Sequence, residues 1–104
     1  IYTLSLHDAL PIYYRRYLLT GPVTVVGRGS EADIIVDDSG VSRRHLEIRL
    51  TQGHAIATDL GSTNGTFVEG HRIDAATLLD GNTLTVGRTR IMFWDGTQGS
   101  EAHG

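Results

Sequence analysis

Short apolar runs separated by clusters of Gly, Asp, Asn and Ser set the rhythm of this chain. From Tyr13 onward the runs fall at residues 17–19, 23–26, 34–36, 46–50, 54–58, 66–68, 83–86 and 91–94. They recur about every ten residues with turn signals between them, the pattern of an all-β sandwich or barrel. Alternation is clean in two places. Leu46, Ile48 and Leu50 share one face while His45, Glu47 and Arg49 share the other, and Leu84 and Val86 alternate with Thr83 and Thr85. Glycines concentrate at the junctions, where tight turns need positive φ. No segment keeps an apolar helical period for three turns, and the one helix candidate, residues 75–79, amounts to a single turn. Asn64-Gly65, between the runs at 55–59 and 66–68, is a strong hairpin signal. Val26-Gly27-Arg28 and Val86-Gly87-Arg88 form a faint internal echo, read here as two strands ending in similar turns rather than as a repeat.

The length of 104 residues is that of one domain with a modest core. With no cysteine, disulfide frameworks and thiolate metal sites are excluded. A net charge of −3 offers no basic field for a nucleic-acid backbone, so no nucleic-acid partner is expected. No apolar stretch approaches ~20 residues, so no membrane insertion is expected either. The expectation is a cytoplasmic monomer. Residues 3–12, Thr-Leu-Ser-Leu-His-Asp-Ala-Leu-Pro-Ile, match what one reading frame of a common sequencing adapter encodes. Residues 1–12 are therefore expected to be a foreign segment joined to a truncated gene, with the domain at 13–95. Tyr2, Leu4 and Leu6 do alternate with Thr3 and Ser5, so a short strand is the alternative. The Gly-rich polar tail, 96–104, is expected to be disordered.

The chemistry lies in three turn-type clusters: Gly27-Arg28; Val41-Ser42-Arg43-Arg44-His45; and the stretch from Asp59 through Ser62-Thr63-Asn64-Gly65-Thr66. Together they present arginines, hydroxyls and a carboxamide without a nucleophile matched to a base, a set that binds an oxyanion rather than transferring one. Gly27-Arg28-Gly29-Ser30 lacks the lysine and spacing of a nucleotide P-loop. A glycine turn at a strand end instead frees Arg28 to grip a phosphate through two parallel hydrogen bonds. Ser42 sits where its hydroxyl and neighbouring backbone N–H groups face a loop-bound anion. Arg43 adds charge, and period-2 alternation turns Arg44 the other way. His45 lies three residues from Ser42 but lacks a carboxylate to orient it and evident oxyanion donors, so it is read as hydrogen-bonding one loop to another. Asn64, at a turn tip, suits the main chain of an extended peptide. His45, His54 and His71 show no ligand spacing, so neither a metal nor a cofactor is expected.

In this order and at these separations, the clusters resemble the forkhead-associated (FHA) domain over residues 17–94. The residues that carry the likeness are Gly27, Arg28, Ser42, His45, Asn64 and Gly65, followed by Leu79-Asp80-Gly81-Asn82 and Val86-Gly87. The wording of residues 40–47 and 59–66 is most similar to actinobacterial members. The resemblance implies a β-sandwich of two twisted, mainly antiparallel sheets and about eleven strands. It implies no catalysis, and loops at one end that bind phosphothreonine in partner proteins, namely Ser/Thr-kinase substrates or an autophosphorylated kinase. It also implies that Arg28 and Ser42 hold the phosphate, Thr63 adds a hydroxyl, Asn64 fixes the peptide main chain and Arg43 lies alongside. Gly27, His45 and Gly65 shape the loops. Two departures stand out. Residues 1–12 occupy the place of the first strand, so the sandwich is expected to lack or replace that edge strand. Glu69 stands where Asn is common in the family.

Two other readings compete. A phosphate-independent docking domain would use another face of the sandwich, against which the complete Arg28, Ser42 and Asn64 set argues. A small hydrolase would pair Ser42 with His45, for which no acidic partner is evident.

Overall fold

The computed structural model describes residues 1–7 and 14–96, and these form eleven strands in two sheets. In chain order they are β1 (Tyr2–His7), β2 (Tyr14–Leu19), β3 (Val23–Gly27), β4 (Ile34–Ile35), β5 (Leu46–Thr51), β6 (His54–Asp59), β7 (Thr66–Val68), β8 (His71–Ile73), β9 (Ala75–Leu78), β10 (Thr83–Val86) and β11 (Thr89–Asp95). One sheet has the order β2-β1-β11-β10-β7-β8 and the other β4-β3-β5-β6-β9. All pairings are antiparallel except β3 with β4.

Period-2 alternation fills the space between the sheets. Leu46 and Ile48 of β5, Leu84 and Val86 of β10, and Ile91 and Phe93 of β11 are all buried. At roughly 1.5–3 kcal/mol for each large apolar side chain removed from water, this layer is the main stabilising term. It fixes strand register as well, since a one-residue slip would turn every one of these side chains outward.

Three sequence expectations change here. Residues 2–7 do supply a strand, and it is no edge: β1 lies between β2 and β11, with Leu4 and Leu6 fully buried. The Tyr-Thr-Leu-Ser-Leu alternation suffices for this, because ladder hydrogen bonds belong to the backbone and any alternating segment can make them. That residues 1–12 have a foreign origin remains our proposal; residues 8–12, like the tail beyond 96, lie outside the described residues. The helix candidate at 75–79 is instead strand β9, whose Ala75–Thr58 to Leu78–Ala55 pairing with β6 covers that sheet's edge. Asn64-Gly65 is not a hairpin, because β6 and β7 belong to different sheets. The loop crosses the sandwich.

Among the described residues three hairpins have two-residue loops: Gln52-Gly53 and Glu69-Gly70, where both residues have positive φ (51° and 79°; 50° and 83°) as a type I′ turn demands, and Gly87-Arg88, where only the first does. The Gly27/Gly87 echo also dissolves. Gly87 (φ 58°) opens the β10–β11 turn, whereas Gly27 ends a strand in ordinary backbone.

Candidate functional site

Four connections meet at one end of the sandwich: β3–β4, β4–β5, β6–β7 and β10–β11. Main-chain bonds join the first two, with the Arg28 amide donating to the Ser42 carbonyl (2.9 Å) and the Gly29 amide to the Arg43 carbonyl (3.0 Å). That approach leaves no room for a side chain at position 27. A Cβ there would stand 2.0 Å from the Arg43 carbonyl oxygen, so glycine is required for closeness rather than for turning.

Arg28 leaves the strand exposed, and its Nε donates to the Val41 carbonyl (3.0 Å). One edge of the guanidinium is thereby tethered, and its terminal nitrogens are the donors left over. The fork geometry that suits a phosphate is thus set in advance. Ser42 opposes it, half-buried, its Oγ accepting the Thr63 amide (3.1 Å) from the β6–β7 loop. The hydroxyl proton is not used in that bond. Asn64 Nδ2 donates to the Gly40 carbonyl (2.8 Å), bracing the β4–β5 loop from the other side.

His45 is the buried axle between these loops. Its Nδ1 accepts the Ser42 amide (3.0 Å) and its Nε2 faces the Gly65 carbonyl (2.9 Å), while the side chain is wholly excluded from solvent. An acceptor at Nδ1 and a carbonyl at Nε2 require the neutral tautomer protonated on Nε2. Neither nitrogen faces the Ser42 hydroxyl. The pair therefore has the wrong geometry for nucleophile and base.

Two carboxylates to which the sequence reading gives no role, Asp59 and Asp38, tie the loops together. Asp59 Oδ1 accepts the hydroxyls of Ser62 (2.6 Å) and Thr66 (2.8 Å), and Oδ2 accepts the amides of Gly61 and Ser62 (both 3.1 Å). The Ser62 hydroxyl in turn accepts the Gly65 amide at 2.9 Å. Partial burial pushes the Asp59 carboxyl up, but the bonds from Ser62 and Thr66 outweigh it and hold the group below the usual carboxylate range. Asp38 does the same work on the far side, where Oδ1 accepts the Gly40 amide (2.8 Å) and Oδ2 accepts the Arg88 amide (2.8 Å) and Thr89 hydroxyl (2.9 Å). Its carboxyl is likewise lowered: burial opposes, and the Gly40, Arg88 and Thr89 donors prevail. The available sequence signals were the Asx-turn patterns Asp38-Ser39-Gly40 and Asp59-Leu60-Gly61.

The result is a shallow depression lined by Arg28, Ser39, Gly40, Val41, Ser42, Arg43, Thr63 and Asn64. The five residues expected to bind stand together in it, and Arg44 does not join them. Among the described residues no carboxylate pairs with Arg28 or Arg43, so both cations are available to an outside anion. Among the same residues no group of three or more His, Asp or Glu is arranged to hold a metal ion.

Comparison with known proteins agrees with this architecture. A family model described as the FHA domain matches residues 24–87. The glycogen accumulation regulator GarA of Mycolicibacterium smegmatis is 40% identical over 87 residues, which is 84% of this chain and 55% of the relative. The chain thus spans about half the length of the curated relatives it matches. Among solved structures, the FhaA FHA domain complexed with the intracellular domain of Rv3910 superposes with a TM-score of 0.81 at 39% identity, covering 89% of this chain and 99% of that one. A structure from work on phosphothreonine-dependent FHA domain interactions gives 0.82 at 38% identity, covering 90% and 95%. The family match and the fold agree: the chain belongs to the FHA domain family.

Proposed function

We propose that this domain is a non-catalytic module that binds phosphothreonine in partner proteins, within Ser/Thr-kinase signalling. One observation carries the proposal. A tethered arginine, a serine hydroxyl with a free proton and a second loop's Thr63 and Asn64 converge on one open depression with no carboxylate opposing them. A phosphate monoester brings nearly two charges and three acceptor oxygens, which match the Arg28 fork and the Ser42 and Thr63 hydroxyls. Arg43 supplies further positive charge at the rim. Asn64 keeps one N–H and its carbonyl oxygen for a peptide main chain. The FHA relatives described above support the same reading, one from phosphothreonine-dependent interactions and another held to the intracellular domain of a partner.

The partners are kinase substrates or an autophosphorylated kinase, met in the cytoplasm by a single site on a monomer. A regulatory role follows the likeness to the glycogen accumulation regulator GarA. Turnover is not part of this reading, since His45 serves the loops and not the Ser42 hydroxyl. An amide-resolved NMR titration with a phosphothreonine peptide tests it. Perturbations should cluster at Arg28, Ser42, Thr63 and Asn64; perturbations confined to a sheet face would replace it with phosphate-independent docking.

A further inference from the structure

Gly65 ends the β6–β7 loop in a backbone conformation with φ 93°, and its open Cα face is covered by an arginine. A Cβ at position 65 would lie 2.8 Å from Arg72 Nε and 3.0 Å from its Cζ. Arg72 reaches this place from β8, where it stands opposite Phe67 on β7. Its side chain is exposed, and among the described residues no carboxylate or carbonyl accepts from it. The platform beneath is rigid, for the Gly65 amide donates to Ser62 Oγ (2.9 Å) and the Gly65 carbonyl receives His45 Nε2 (2.9 Å). Arg72 thus lies over a braced loop, and among the described residues its charge is unanswered.

We infer that Arg72 is a specificity-determining residue that receives a second anion on the bound peptide, on the Gly65 side of the phosphothreonine. The inference rests on the phosphothreonine reading of the site. Thr63 and Gly65 are two positions apart, so an extended peptide would reach Arg72 roughly two to three residues from its phosphothreonine. The chemistry required is a carboxylate or a second phosphate. Either matches the planar fork of a guanidinium through two parallel hydrogen bonds.

The test is a positional scan of phosphothreonine peptides that place Ala, Asp or a second phosphoresidue at each flanking position. Binding is measured by anisotropy for the wild type, Arg72→Gln and Arg72→Glu, each checked for unchanged unfolding. For the wild type, an Asp at one position two or three residues out should improve affinity about 2- to 5-fold over Ala, the range of an exposed ion pair. A second phosphate there should improve it further. Arg72→Gln should erase the gain while leaving the all-Ala peptide unaffected, and Arg72→Glu should turn it into a penalty. The gain should shrink as salt rises. An identical Asp preference in wild type and both variants, or no preference anywhere despite tight phosphothreonine binding, overturns the Arg72 assignment alone. Absence of binding to every phosphothreonine peptide overturns the reading of the site as well.

Discussion

The carboxamide of Asn64 donates to the carbonyl of Gly40 across 2.8 Å, joining the β6–β7 loop to the β4–β5 loop. The same side chain that is proposed to hold the peptide therefore also holds the site. Asn64→Ala should lower stability by about 1 kcal/mol, the net worth of one such bond. It should weaken phosphopeptide binding by roughly tenfold or more, because the Gly40 loop loses its brace and the peptide its contacts. Denaturant unfolding and anisotropy on one variant separate the two effects.

Arg28 is pinned at Nε by the Val41 carbonyl, so its charge and its orientation are coupled. Arg28→Ala should cost phosphothreonine binding ~2–5 kcal/mol, the loss expected when a desolvated phosphate forfeits its cation. Arg28→Lys restores charge but not the tether or the two-pronged geometry, and should recover only part of that affinity. Normal binding by Arg28→Ala would place the phosphate elsewhere.

Asp59 and Asp38 both titrate below their ordinary values in the folded chain. A depressed folded pKa means the folded state binds fewer protons than the unfolded one through this range. The stability they contribute is thus complete above the unfolded value, about 3.9, and is lost as pH falls through their lower folded values. Asp59→Asn keeps the two hydroxyl bonds but cannot accept the Gly61 and Ser62 amides. It should cost about 1.5–3 kcal/mol at neutral pH and make the acid limb of stability shallower, as read from unfolding midpoints between pH 7 and 2.

Gln52 holds φ 51° in an exposed type I′ turn and makes no described side-chain hydrogen bond. Gln52→Asn places the residue best suited to that conformation ahead of Gly53 and should raise stability by about 0.5–1 kcal/mol without touching binding. Glu69 has nearly the same φ, but its Oε2 accepts the Thr83 amide at 2.8 Å. Glu69→Asn should therefore gain little, since the relieved backbone is offset by the lost bond. Urea unfolding of both variants checks the contrast.

Much of this was legible in the chain because the strands obey a strict period and the site residues are chemically distinctive. Leu46-Glu47-Ile48 and Leu84-Thr85-Val86 announce their buried faces, and arginines, hydroxyls and an Asn in turns announce an anion site. Ala75-Ala76-Thr77-Leu78 was opaque, since two alanines carry no face preference and only pairing with β6 makes them a strand. Asn64-Gly65 misled because turn chemistry is local, whereas belonging to one sheet or two is decided by the whole fold. The necessity of Gly27 was equally hidden, residing in a carbonyl sixteen positions away at Arg43. Asp38 and Asp59 read as ordinary turn aspartates until their four loops are seen together.

The most direct test of the central claim is anisotropy of the folded domain with three matched degenerate peptide pools: phosphothreonine, phosphoserine and unphosphorylated. Binding to the phosphothreonine pool alone is the expected result. Equal binding to all three pools, or none from a protein shown to be folded, would contradict it.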